Sequence, residues 1–217
     1  KRGFTEKFQK LLSGRGNVLK CIDQVQANPS FHDISEVLSN LEDYKPDMIV
    51  ALGGGSVMDM GKILSYVLSS RTPSWNAVNK TLKQNQKLPE EETLPLIAIP
   101  TTAGTGSEVT PFATLWDTDE KKKYSFATET LFPSTALMAP TLCLSMPWSV
   151  TLSTGMDAVS QLLESVWNKK YTPYTGELAK RGLRLAWMAL PKLKQNLNDL
   201  QARKDMAEAS LLSGLCI

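Results

Sequence analysis

Residues 48–68 constrain the fold of this chain more than any other stretch of its sequence. A short apolar run, residues 48–52, leads directly into three glycines, Gly53, Gly54 and Gly55. Such a run is typical of a strand that is buried on both faces of a parallel sheet. After the glycines, Ser56 and Asp59 have the spacing of a capping box at the start of an amphipathic segment. We therefore predict a buried strand, a tight glycine turn and a capped helix.

A second strand and loop repeat this arrangement further along the chain. Residues 94–100 are another apolar run, and residues 101–110 carry five hydroxyl side chains and two glycines. In open α/β sheets, ligands bind where the strands end, so the two loops are expected to face one crevice. Glycines and a helix N-terminus suit a phosphate group. The glycines match neither GxGxxG nor the P-loop signature, and a tight turn without a ligand is the alternative.

The rest of the chain divides into two kinds of sequence. Alternating residues on either side of a turn at 117–120 predict a β-hairpin, whereas residues 71–93 resemble a long surface connection. Beyond Pro147 the periodicity is helical, with predicted helices at 154–168, 176–198 and from 203 onward. The sequence thus predicts an α/β domain at 1–143, with a parallel sheet, helices and a hairpin, and an all-helical domain at 144–217.

Composition narrows the functional classes. The 217 residues carry a net charge of +2, and no basic block or membrane-length apolar run is present, so we expect neither a nucleic-acid nor a membrane partner. A soluble cytoplasmic protein is the default expectation. The only histidine, His32, lies in a predicted surface turn, which argues against a Ser-His-Asp triad or a multi-histidine metal centre. Cys21, Cys143 and Cys216 are far apart and are expected to be reduced and buried.

The two ends of the sequence predict a fragment. The chain begins at Lys1 without a methionine, and residues 211–217 are apolar with no cap or polar tail. Such an ending resembles a core segment, so both predicted domains are expected to be incomplete.

Three motifs resemble those of the iron-containing, or group III, alcohol dehydrogenases. The first is Gly53-Gly54-Gly55-Ser56 with Asp59 and Lys62, the second runs over residues 100–110, and the third is Ser153-Thr154-Gly155-Met156-Asp157-Ala158. They occur in the family order and span nearly the whole chain. The resemblance implies an N-terminal domain that binds NAD or NADP and a helical domain that holds a divalent metal such as Fe or Zn.

The resemblance also implies roles for particular residues. Residues Gly53 to Val57 would wrap the pyrophosphate of the cofactor, with Asp59 close by. The ribose and nicotinamide side would be lined by Thr101, Thr102, Ser107 and Thr110. Lys123 matches a family lysine near the cofactor ribose; alternatively, it is one of three solvated lysines on an edge strand.

The metal site departs from the family pattern. Asp157 stands where the family has its first ligand, but Gln161 replaces the histidine that follows four residues later. An amide oxygen is a weaker ligand than imidazole and favours harder metals. The alternative is that Asp157, Gln161 and Glu164 form the polar seam of an amphipathic helix, whose core-facing residues would be Met156, Val159, Leu163 and Val166.

The resemblance implies an NAD(P)-dependent, metal-assisted oxidoreductase acting on a small alcohol or aldehyde. Gln161 and residues 111–116 are faintly similar to phosphonoacetaldehyde reductases within the family. The family resemblance also makes a homodimer one possible assembly of the chain. Two alternatives are a dehydroquinate-synthase-like lyase that binds NAD, and a non-catalytic relative that has lost its metal. A fragment of 217 residues is itself expected to be inactive.

Overall fold

The computed structural model describes residues 3–41, 44–69, 71 and 74–217. Within these ranges, the N-terminal part contains four helices, α1 (Phe4–Ser13), α2 (Phe31–Ser39), α3 (Gly55–Val67) and α4 (Trp75–Lys83), and five strands, β1 (Ile49–Gly53), β2 (Leu96–Pro100), β3 (Phe112–Asp117), β4 (Lys122–Ala127) and β5 (Thr135–Ala136). Three helices follow, α5 (Trp148–Trp167), α6 (Pro173–Gln195) and α7 (Leu200–Leu215). Short 3₁₀ turns lie at Ser107–Val109, Glu129–Leu131 and Pro140–Cys143.

The parallel sheet has the order β1-β2-β5 in the described part of the chain. β1 pairs with β2 from Ile49↔Leu96 to Gly53↔Pro100, so the carboxyl ends of the two strands are level. Helix α3 packs closely on β1, and a Cβ at Gly61 would lie only 2.9 Å from the Cβ of Ala51. Glycine at this position therefore lets the helix approach the sheet. The predicted strand, turn and helix are confirmed.

The hairpin joins β3 and β4 in antiparallel register from Phe112↔Ala127 to Asp117↔Lys122. Alternate β3 residues are buried, as expected for a strand with one face on the core. Phe126 lies edge-on to Tyr66 of α3, with ring centroids 5.3 Å apart. The hairpin thus packs on α3, and the two elements share one apolar core.

The C-terminal part is helical, as predicted. Helix α6 packs against both α5 and α7, around a core of small residues and leucines that includes Ala158, Ala186, Ala189 and Leu193. No helix in the described ranges is both long and apolar enough to cross a membrane. The α/β part followed by a helical part confirms the predicted fold class, while the boundary between residues 143 and 144 stays a prediction.

Several local predictions were wrong. The connection at 71–93 contains α4, whose Val78 and Leu82 are buried four residues apart on one face. Helix α3 is capped by Gly54 rather than by Ser56, whose hydroxyl instead accepts a hydrogen bond of 3.1 Å from the Asn28 amide. Helix α5 begins at Trp148, directly after Pro147 and well before residue 154.

Other corrections concern single residues. His32 is exposed as predicted, but it lies in the first turn of α2, which Ser30 and Asp33 cap as a true capping box. All three cysteines are free, yet Cys21 is exposed and Cys216 only half-buried, so burial holds for Cys143 alone.

The polar-seam interpretation of α5 is also wrong. Its buried residues are Thr151, Gly155, Ala158, Leu162 and Ser165. The expected core residues Met156, Leu163 and Val166 are exposed, and Val159 is only half-buried. The small residues face inward because α6 and α7 approach this side of α5 closely: a Cβ at Gly155 would lie 2.7 Å from Leu190.

Candidate functional site

The two loops that follow β1 and β2 lie side by side. The Thr101 amide donates a hydrogen bond of 2.8 Å to the Gly53 carbonyl, which continues the strand pairing into the turns. This arrangement follows from the level register of the two parallel strands. The structure therefore brings together the residues of the glycine turn and those of the hydroxyl-rich loop.

Glycines allow the two turns to approach this closely. A Cβ at Gly54 would lie 3.3 Å from the Thr102 side chain, and one at Gly55 would lie 2.9 Å from Cγ2 of Thr105. Gly54 is the N-cap of α3, and the first N–H groups of a helix have no acceptor within the helix. The turn thus presents bare backbone amides at the positive end of the α3 dipole, the arrangement that suits a phosphate.

The predicted cofactor residues differ in their exposure. Gly54, Gly55, Ser56, Val57, Asp59, Thr101 and Thr102 are half-buried, whereas Gly53, Ser107 and Thr110 are buried. The hydroxyl oxygens of Ser107 and Thr110 accept hydrogen bonds of 2.8 Å and 3.0 Å from Nζ of Lys62. These two side chains therefore sit behind the loop surface, in contact with α3. Their assignment to the cofactor stays a prediction.

A cluster of buried charges lies beneath the loops. The Lys62 side chain is fully buried, and burial lowers the pKa of its ammonium to about 8 despite the opposing charges of Asp59 and Glu108. Burial raises the pKa of Asp59 to about 6, against the lowering influence of Lys62. Burial also raises the pKa of Glu108, and its Oε1 atom has no hydrogen-bond partner. These carboxyls are thus less acidic than exposed ones.

The raised pKa of Asp59 gives stability a definite pH dependence. Its ordinary value is 3.8 and its folded value is about 6, so the folded protein holds the proton more tightly between these values. The free energy of unfolding is expected to fall as pH rises from about 4 to about 6. Asp59→Asn should remove the contribution of Asp59 to this slope, leaving that of Glu108, and raise the free energy of unfolding at pH 7 by about 2 kcal/mol.

Urea unfolding at several pH values between 4 and 7.5 would measure this effect. Asp23→Asn is the control because Asp23 is exposed. The charge cluster would be contradicted if the Asp59 variant kept the slope of the unsubstituted chain.

Lys123 connects the hairpin with two other elements of the site. It is exposed on β4, opposite Trp116. Its charge lowers the pKa of Asp59 on α3 and opposes the increase at Asp157 on α5. Although Asp157 is exposed overall, neighbouring atoms partly desolvate its carboxyl, and this effect, followed by the charge of Glu164, raises its pKa. A lysine of the hairpin thus acts on carboxylates of both the α/β part and the helical part.

The two predicted metal ligands have different surroundings. Asp157 is exposed on α5, whereas the Oε1 atom of Gln161 lies 2.9 Å from the Ser213 hydroxyl of α7. The single hydrogen of this hydroxyl is shared between Gln161 and the Ser210 carbonyl at 2.7 Å. In the described ranges no group of three or more His, Cys, Asp or Glu residues could hold a metal ion. One carboxylate and one occupied amide do not fit a divalent metal, which takes at least four ligands in typical protein sites. Their role as ligands stays a prediction.

The hydroxyl-rich loop also contacts the helical part. Gly106 lies against Gly214 of α7, and a Cβ at Gly106 would be 2.5 Å from the Gly214 Cα. The Ser213 hydroxyl also reaches the Gly104 carbonyl at 3.3 Å. Backbone contact at this junction places the loop between the sheet and the helices.

Sequence reasoning gave no structural role to three buried charged residues, Lys62, Glu108 and Arg203. Lys62 was noted only as part of a motif. A signal was available, because this lysine stands among the apolar residues Met58, Ile63 and Leu64 of an amphipathic helix. No comparable pattern surrounds Glu108.

Comparison with known proteins identifies the family. The family described as iron-containing alcohol dehydrogenase matches residues 1–140, and the C-terminal part of the Fe-containing alcohol dehydrogenase family matches residues 151–217. The NAD-dependent methanol dehydrogenase of Bacillus methanolicus is 31% identical over 215 residues, which cover 98% of this chain and 54% of that protein.

Solved structures agree with this relationship. Sulfoacetaldehyde reductase from Bifidobacterium kashiwanohense, in complex with NAD+, is 31% identical with a TM-score of 0.88, over 98% of this chain and 56% of that one. An iron-containing alcohol dehydrogenase from Thermotoga maritima is 35% identical with a TM-score of 0.87, over 100% of this chain and 57% of that one. The chain thus spans little more than half of these three relatives. It belongs to the iron-containing alcohol dehydrogenase family.

Proposed function

We propose that this chain supplies the NAD(P)-binding part of an oxidoreductase that interconverts a small alcohol and its aldehyde. The observation that carries the proposal is the close approach of the glycine turn and the hydroxyl-rich loop, with Gly54 facing Thr102. A side chain at Gly54 would occupy the space between them. The bare amides at the start of α3 fit the negative charge of a pyrophosphate.

Each part of the site has a role in this proposal. Gly53 to Val57 bind the pyrophosphate, while Thr101 and Thr102 orient the ribose and nicotinamide from the neighbouring loop. Lys123 places a positive charge between Asp59 and Asp157, where it can hold a ribose hydroxyl. When bound, NAD(P) supplies the nicotinamide carbon that accepts or releases a hydride.

The substrate class comes from the relatives. Their names include a methanol dehydrogenase and a sulfoacetaldehyde reductase, which supports a small alcohol or aldehyde as substrate. Phosphonoacetaldehyde is one aldehyde to be tested within this class. A cytoplasmic location and a homodimer belong to the same proposal.

A second candidate is an NAD(P)-binding relative without catalytic metal. The hydrogen bond from Ser213 to Gln161 favours it, because this bond already uses a lone pair of the amide that replaces the family histidine. Elemental analysis of the 217-residue chain after exposure to Zn²⁺ or Fe²⁺ tests this candidate. Stoichiometric metal would contradict it, whereas absence of metal agrees with both candidates, because the chain spans little more than half of its relatives.

Gly54→Val tests the cofactor site directly. The valine side chain would meet Thr102 and close the space above the α3 N-terminus, so NAD+ and NADP+ are expected to bind at least about tenfold more weakly. Titration of the 217-residue chain by isothermal calorimetry measures both affinities and also shows which cofactor is preferred.

Gly176→Val is the control substitution, because Gly176 lies in α6, outside the proposed cofactor site. The three atoms nearest to a Cβ at this position would all belong to the side chain of Tyr171, which is exposed and can move. Circular dichroism would show that both variants are folded. Unchanged NAD(P)+ affinity in folded Gly54→Val would overturn the proposed cofactor site, as would a chain that binds neither dinucleotide.

A further inference from the structure

We propose that Lys62 is a positioning residue for the nicotinamide side of the cofactor, because its buried ammonium fixes the hydroxyls of Ser107 and Thr110 in one orientation. This inference rests on the proposed function, since it assumes that the loop at 101–110 meets the nicotinamide and its ribose. It assigns Lys62 a role in binding through other residues, without contact to the cofactor itself.

Three hydrogen bonds hold the Lys62 ammonium. Nζ donates to Oγ of Ser107 at 2.8 Å, to Oγ1 of Thr110 at 3.0 Å and to the carbonyl of Phe112 at 2.7 Å. An ammonium has three donors, so all of them are used. The three acceptors lie within residues 107–112, from the end of the loop to the first residue of β3. A single side chain of α3 therefore fixes the path of residues 107–112.

The bonds also decide which way each hydroxyl points. Because the Ser107 oxygen accepts from Lys62, its hydrogen is directed elsewhere, and Asp59 Oδ1 lies 3.4 Å away. The Thr110 oxygen likewise accepts from Lys62, and its hydrogen can reach the Ser107 carbonyl at 3.4 Å. A hydroxyl has one hydrogen and can rotate freely when no partner defines it. Lys62 thus sets the direction of a chain of hydrogen bonds that ends at Asp59.

Charge accounts for the choice of lysine at this buried position. Asp59 and Glu108 both stabilise the charged form of Lys62, while burial opposes it. Within the described ranges, no carboxylate oxygen lies within ion-pair distance of Nζ. The ammonium is therefore held by neutral oxygens, with two carboxylates nearby. If Lys62 only linked α3 to the loop, a neutral hydrogen-bond donor would serve, without a charge that burial destabilises.

A comparison of two ligands tests this role. ADP carries the pyrophosphate and adenosine but lacks the nicotinamide half, so it reports on the glycine turn without the loop at 101–110. In Lys62→Met we expect NAD+ affinity to fall roughly ten- to a hundredfold while ADP affinity stays within about threefold. Calorimetric titration of the 217-residue chain gives both values. Lys62→Gln, which keeps a polar group, is expected to recover part of the NAD+ affinity.

A double-mutant cycle identifies the route of the effect. In a Ser107→Ala, Thr110→Val background, Lys62→Met should change NAD+ affinity much less than in the unsubstituted chain, because its targets are already gone. Equal loss of ADP and NAD+ affinity, unchanged NAD+ affinity, or full additivity in the cycle would each overturn the role of Lys62. If Lys62→Met does not fold, Lys62→Gln is judged by the same two affinities. Failure of the unsubstituted chain to bind NAD+ would instead overturn the proposed function.

Discussion

Gly106→Ala is expected to lower the free energy of unfolding by about 2–5 kcal/mol. Two effects combine at this position. The backbone of Gly106 has φ of 60°, a left-handed conformation that side chains with a Cβ rarely adopt. The added Cβ would also lie 2.5 Å from the Cα of Gly214 and 2.7 Å from the Ser210 carbonyl. Because these atoms belong to the backbone of α7, the clash cannot be relieved by rotating a side chain.

Two other glycines separate the contributions of strain and clash. Gly16 has φ of 83° with nothing within 4 Å of an added Cβ, so Gly16→Ala reports conformational strain alone. Gly104 has no positive φ, yet its Cβ would lie 2.6 Å from the Thr154 carbonyl, so Gly104→Ala reports the clash alone. Urea unfolding of the three variants measures the loss in free energy of unfolding that each substitution causes.

The Gly106 variant should lose more stability than either of the other two. A loss at Gly106 no greater than that at Gly16 would mean that the loop is not packed tightly against α7. That result would also remove the backbone contact that joins the α/β part to the helical part.

The sequence predicted the elements whose signals are local. Residues 48–52 and 94–100 form parallel strands because uninterrupted apolar runs suit burial on both faces of a sheet. The hairpin followed from alternation on either side of the turn at 117–120. Once two parallel strands lie next to each other, their ends must meet at one edge of the sheet. The proximity of the two loops could therefore be predicted without coordinates.

The prediction failed first where one local signal concealed another. Helix α4 carries Val78 and Leu82 at helical spacing, but polar neighbours and nearby prolines concealed this pattern. Ser56 had the spacing of a cap, yet the chain turns at Gly54 because Gly53 and Gly54 permit a tighter exit from β1. In both cases a local signal for the correct structure was present. The polar composition around α4 and the cap-like spacing of Ser56 outweighed it in the prediction.

The polar interior of the site could not be predicted for a different reason. Lys62 is 45 residues before Ser107, and nothing in either segment specifies their contact. The inward face of α5 was also misassigned, because close packing by α6 selects small residues such as Gly155 and Ala158 over large apolar ones. Such choices depend on how far apart two helices lie, which the periodicity of one helix does not report.

Arg203 is the second buried residue whose role depends on distant contacts. Its guanidinium is 1% exposed and donates to the Leu197 carbonyl at 3.0 Å, the Thr151 hydroxyl at 2.8 Å and the Met146 carbonyl at 3.1 Å. Burial lowers the pKa of this group. The three acceptors lie before α7, in α5 and in the segment that precedes α5. One side chain thus joins the helical part to the connection from the α/β part.

Arg203→Ala is expected to lower the free energy of unfolding by about 3–5 kcal/mol. The substitution leaves two buried acceptors and one partly buried acceptor without their donor, and it opens a cavity where a large side chain was enclosed. Arg203→Lys should recover only part of the loss, because an ammonium keeps the charge but lacks the planar arrangement of donors that reaches all three oxygens.

The matched control is Lys204→Ala on the adjacent, exposed position of α7, which should change stability by no more than about 0.5 kcal/mol. Thermal and urea unfolding of the three variants would measure the differences. If Arg203→Ala were no less stable than Lys204→Ala, relief of the buried charge would outweigh the three hydrogen bonds. The connection before α5 would then be held by apolar packing around Met146 and Cys143, both of which are buried.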